Sequence, residues 1–151
     1  MVGMLWTGLT VLMFIVLVII VVTNREPPML TELKQKYNTA LDVLRRTKDP
    51  IWSDVLRRSV ITGMVGWSKE RGPIGSNVNK GYEIYICLDG NDVNSAMYVL
   101  IHELAHMSVP EYDHTTNFWT NFKKLKQICI DNNLYTPSGE RTYCGDTVKD
   151  T

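Results

Sequence analysis

Charge is missing from the first 24 residues, and residues 9–22 are apolar apart from Thr10. That absence excludes an ordinary surface helix. A helix rises about 1.5 Å per residue, so a run of this length matches the roughly 30 Å hydrocarbon core of a bilayer. A cleaved signal peptide would need a basic stretch, a shorter apolar run and a small-residue cleavage site. Nothing basic precedes this run, and Ile20, Val21, Val22 and Thr23 are all β-branched. Residues 1–24 are therefore expected to be a retained single-pass transmembrane anchor.

Net charge is lacking too. Sixteen basic and sixteen acidic residues cancel, so no basic excess exists to hold nucleic acid, and no such partner is expected. Cysteine is scarce: Cys87, Cys129 and Cys144 are odd in number and form no CxxC. That usage fits a reducing compartment, and Cys87 and Cys129 read as small buried hydrophobes. Arg25, Lys34 and Lys36 follow the apolar run, whereas the N-terminal side offers only the α-amino group. The positive-inside rule then favours a cytosolic C-terminal domain. Internal repeats and low-complexity tracts are absent.

What remains after a short proline-containing linker, residues 25–30, suffices for one compact domain over residues 31–151. Thr31 is a candidate cap for a helix reaching about Lys48, with Leu33, Tyr37, Leu41 and Leu44 at helical spacing. A second short helical stretch is expected at residues 52–60. Residues 63–81 are rich in Gly, Asn and Ser and read as turns and a loose hairpin. Residues 82–88, Tyr-Glu-Ile-Tyr-Ile-Cys-Leu, form the clearest strand. A helix should follow over residues 93–108, stopped by Pro110. Thr115 or Thr116 should cap another to about Ile130, with Phe118, Phe122, Leu125 and Cys129 as its buried stripe. The tail from Asp131 shows no definite element. The fold class is α+β.

Histidine is the last scarcity, and the most informative. The chain has three, and all fall in one stretch. His102-Glu103-Leu104-Ala105-His106 is an HExxH motif inside a predicted helix. Residues four apart share a helix face, so His102 and His106 can reach one metal ion, while Glu103 projects to the side where it can meet a water. A catalytic zinc site takes three protein ligands and keeps one position open. His114, on the segment returning beyond Pro110, supplies the third. HExxH also arises by chance as plain surface. Here the apolar run Met97-Tyr98-Val99-Leu100-Ile101 precedes it, a context where unliganded histidines would be costly. Zn2+ is the expected cofactor.

His-Glu-Leu-Ala-His followed by His114-Thr115-Thr116-Asn117-Phe118-Trp119 resembles the WLM and SprT-like metallopeptidases, with their HELAH and HxxxFW pair. Residues 78–81, 84–88, 98–106 and 143–145 are similar to small WLM-like proteins of large nucleocytoplasmic DNA viruses. The seven residues between His106 and His114 exceed the usual gap of the pattern. The resemblance implies a zincin-like domain with an active-site helix, a short sheet and a C-terminal helix. It implies Glu103 as the general base acting on water, and the strand at residues 82–88 as the edge that pairs with a peptide. Tyr112 or Tyr143 would stabilise the oxyanion, unless each is a packing residue. Asp113 would orient a histidine, unless it is an exposed turn residue. The leading expectation is a membrane-anchored zinc peptidase with a protein or peptide substrate. The alternative is a minor virion protein that joins an internal membrane to capsid proteins and retains its zinc site.

Overall fold

The computed structural model describes residues 2–66, 70 and 72–150. Met1, at the start of the expected anchor, Thr151, at the end of the expected domain, and residues 67–69 and 71 of the expected turn region lie outside the described residues. Helix α1 (Val2–Thr23) is followed by α2 (Pro28–Thr47), 3-10 turns at Pro50–Trp52 and Val55–Arg57, and strands β1 (Val60–Met64), β2 (Gly75–Val78) and β3 (Glu83–Cys87). Then come α3 (Val93–Met107), α4 (Thr116–Asp131) and a hairpin of β4 (Arg141–Tyr143) and β5 (Asp146–Val148). The architecture is mixed α+β, with four helices and two small sheets among the described residues.

Helix α1 contains a segment, Trp6–Thr23, long and apolar enough to cross a membrane, none of it buried by the rest of the chain. Two of its hydroxyls are satisfied within the helix: Thr23 Oγ1 donates to Ile19 O at 2.8 Å and Thr10 Oγ1 to Thr7 O at 2.9 Å. In α2, Pro28 occupies the first turn, where no N–H is needed, so the helix begins ahead of the expected Thr31. It buries Leu30, Leu33, Tyr37, Ala40, Leu41 and Leu44, and ends at Lys48 in the left-handed region (φ 53°). The stretch expected to be helical at residues 52–60 is instead two single 3-10 turns. The first is capped by Asp49, which accepts from Ile51 N at 3.1 Å.

The three-stranded sheet has the order β1-β3-β2, with β1 parallel and β2 antiparallel to β3. Strand β3 is central, and Ile84 and Ile86 are wholly buried. This corrects the expectation that β3 is a free edge. The edge beside the helices is β2, inside the region read as turns. Gly75-Ser76-Asn77-Val78 lacks the β-branched run of a strand and becomes one by pairing with β3. Helix α3 packs under the sheet, and α4 packs against α3.

A second correction concerns sulfur. Cys87, at the end of β3, forms a disulfide with Cys144, between β4 and β5, 57 positions away. Only Cys129 is a free, buried thiol. Two further contacts hold the hairpin there. Tyr143 Oη donates to Cys87 O, and the Tyr143 ring lies so near Gly90 that a Cβ at 90 would meet it at 2.2 Å. Unfolded protein without reductant should alkylate at one thiol, and after reduction at three, as counted by mass spectrometry. For a loop of this length, Cys144→Ser should cost up to about 4 kcal/mol, read as a lower melting temperature.

Candidate metal centre

Asp92 starts α3 by accepting from Asn94 N at 3.0 Å. One face of the helix enters the core through Ala96, Met97, Leu100, Ile101 and Leu104. The face towards β2 and the start of α4 carries His102, Glu103 and His106. Beyond Ser108 the chain turns back, and Lys80 holds the turn. Its ammonium donates to the carbonyls of Val109, Pro110 and Glu111 at 3.2, 2.9 and 3.0 Å, using its full set of three N–H donors. Asn121 of α4 adds bonds to Ser108 O at 3.3 Å and Oγ at 3.1 Å. Thr115 then caps α4, accepting from Phe118 N at 3.3 Å. His114, one residue before the cap, is thereby returned to α3.

The three histidines meet. Ring centroids are 5.0 Å apart for His102–His106 and 4.8 Å for both His102–His114 and His106–His114. Nε2 of His102 and Nε2 of His114 are 2.9 Å apart, and the candidate ligand nitrogens all lie within 4.8 Å of one another. Phe118 is their floor, with its centroid 5.0, 4.4 and 4.7 Å from His102, His106 and His114. Trp119 stacks on His114 at 5.6 Å. The Phe-Trp pair of the HxxxFW pattern therefore packs directly on the imidazoles. Burial, reinforced by the neighbouring histidines, pulls His102 down to about 4; burial, His114 and Lys80 do the same for His106. Three imidazoles with convergent nitrogens form a nitrogen donor set that fits Zn2+.

Glu103 is 7% exposed. Burial raises its carboxyl to about 7. Its backbone carbonyl accepts from Asn77 Nδ2 at 3.0 Å, which ties α3 to β2. Gly75 makes that approach possible, since a Cβ there would meet Val99 Cγ1 at 2.3 Å and Glu103 Oε1 at 3.1 Å. Two cavities, about 480 and 250 Å³, open on either side and share Pro73, Gly75, His102 and Glu103.

The other expected residues separate. Tyr143 is buried under the hairpin with its hydroxyl on Cys87 O, so it is a packing residue and not an oxyanion group. Tyr112 is 81% exposed, lines the larger cavity and lies under the Lys80 ammonium, 4.1 Å from its ring centroid. Asp113 is exposed, and its backbone carbonyl accepts from Thr115 N at 2.9 Å. Sequence reasoning missed the clamp by Lys80, which no local pattern announces.

Residues 30–150 match the WLM domain family. The chain belongs to that family. WLM domains are associated with a zinc-protease-like fold, and the histidine cluster accords with it. An uncharacterized protein of Acanthamoeba polyphaga mimivirus is 42% identical over 78 residues, covering 45% of this chain and 40% of the relative. One from Invertebrate iridescent virus 6 is 33% identical over 85 residues, covering 50% of this chain and 47% of the relative. The matched region thus spans less than half of either viral relative. No solved structure matches the chain.

In this WLM domain Lys80 acts on the reversal between α3 and α4. Lys80→Met should weaken zinc binding by about tenfold or more, the loss typical when a ligand's support is removed. Lys80→Arg should recover part of it. Competition against a chelator measures both.

Proposed function

We propose that the protein is a membrane-anchored, zinc-dependent peptidase, with His102, His106 and His114 as ligands and Glu103 as general base. One observation carries the reading: a buried carboxyl beside three convergent imidazoles, where two cavities meet under a sheet edge. His102, His106 and His114 would hold the zinc, which would supply Lewis acidity towards a scissile carbonyl and an attacking water. The chain's own residues supply the rest. Glu103, with its carboxyl raised to about 7, accepts the proton of the attacking water and returns it to the leaving amine. Phe118 and Trp119 fix the imidazole rings. The free edge of β2 offers main-chain groups to an extended peptide, and Gly75 lets that edge lie close to Glu103.

Helix α1 serves as the anchor, supported by its length, its apolar surface and the absence of burial by the domain. The Cys87–Cys144 disulfide weighs against the cytosolic side that the flanking charges favour, and supports a disulfide-permissive compartment for the domain. A second reading draws on the viral relatives and α1: a minor virion protein joining membrane to capsid, its zinc kept for stability.

Full-length protein in detergent, stripped of metal, should take up about one zinc per chain. Glu103→Gln should keep the zinc while turnover of a peptide library drops on the order of 100-fold or more. His106→Ala should lose zinc affinity and melting temperature together. A zinc-loaded wild type that Glu103→Gln leaves unchanged would exclude the peptidase and favour the structural reading. Alkaline carbonate should leave the full-length chain in the membrane pellet; release into the supernatant contradicts the anchor.

A further inference from the structure

The two cavities beside Glu103 differ in character. The larger carries polar and charged groups, among them Asn77, Asn79, Lys80 and Glu111. The smaller, about 250 Å³, has Ile74, Tyr98, Val99, Trp119 and Val148 as its apolar walls, with Asp146 and Thr147 of the hairpin also lining it; Asp146 Oδ1 accepts from Thr147 N at 3.1 Å. Lys149 at its mouth turns its ammonium to Glu140 at 2.9 Å, while its carbonyl accepts from Tyr98 Oη at 2.7 Å. The charge of that lysine is therefore paired with Glu140.

One wall of this smaller cavity is the β4–β5 hairpin, and that wall is held from several directions. The disulfide ties it to β3, and the Tyr143 hydroxyl bonds Cys87 O. Arg141 Nε donates to Ser95 Oγ of α3 at 2.7 Å and pairs with Asp150 at 3.1 Å. A preformed, mainly apolar hollow thus opens directly onto the shared residues Gly75, His102 and Glu103.

We propose that the hairpin cavity is a side-chain subsite that selects peptides carrying a large apolar residue, of leucine or phenylalanine size, next to the cleaved bond. The inference rests on the peptidase reading and adds the substrate class. A peptide extended along β2 passes over Glu103 with one end towards the hairpin and the other towards the polar cavity. The residue entering the hairpin hollow leaves water for apolar walls, which a glycine or aspartate there cannot exploit. On the other side of the bond no apolar preference is expected.

The test uses the zinc-loaded full chain in detergent and a peptide series varied one position at a time around the cleaved bond. One neighbouring position should prefer leucine or phenylalanine over glycine or aspartate by at least about tenfold, the scale of hydrophobic pocket discrimination. Ile74→Ala, at a half-buried position, and Val148→Ala, on the hairpin, should shift that preference several-fold towards tryptophan while zinc content stays unchanged. The same peptides are also titrated by fluorescence polarisation onto Glu103→Gln, which reads binding without turnover. Cleavage with no apolar preference, or with a preference that neither variant moves, overturns the subsite and leaves the peptidase standing. Absent cleavage with an apolar binding preference that Ile74→Ala shifts supports the subsite and sinks the peptidase. If the peptides are neither cut nor bound, the subsite is overturned.

Discussion

Everything at the site depends on how closely β2 can approach α3. Helices and sheets ordinarily keep a layer of side chains between them. At Gly75 that layer is missing, because Val99 and Glu103 already occupy the place of a Cβ. The strand therefore descends until Asn77 can bond the Glu103 carbonyl, and the Glu103 carboxyl loses most of its water. Its raised pKa and its place between two cavities follow from the one close contact.

The second ingredient is the return of His114. Two histidines on a helix are set by the 3.6-residue period, but the third arrives by a seven-residue detour. Such a detour needs an outside anchor. Lys80, in the turn between β2 and β3, provides it by coordinating three consecutive carbonyls, and the same turn joins the strand edge to the sheet. The β2 edge and the third imidazole are thus positioned by adjacent parts of one connection.

The histidine cluster was legible because all three residues lie in one stretch and helical spacing is a local rule. Helices α3 and α4 were legible for the same reason: Asp92 and Thr115 cap them, and their apolar stripes repeat at helical spacing. Strand β2 was not legible, since Gly-Ser-Asn-Val has turn composition and becomes a strand only against β3. The β4 and β5 strands, three residues each, are too short to show alternation. The Cys87–Cys144 pairing spans 57 positions and leaves no local trace, so Cys87 read as a plain hydrophobe. Tyr143 looked available for chemistry because its sequence neighbourhood does not reveal that its hydroxyl is bound to Cys87 O.

The same bridge has a topological consequence. His102, Glu103, His106 and His114 all lie between positions 87 and 144, so the proposed centre sits inside a closed covalent ring. A single backbone cut in the exposed segment around Tyr112 by a foreign protease opens the ring without releasing either piece. The two halves of the histidine set remain tethered through sulfur, and the damage becomes a separation only when the compartment turns reducing.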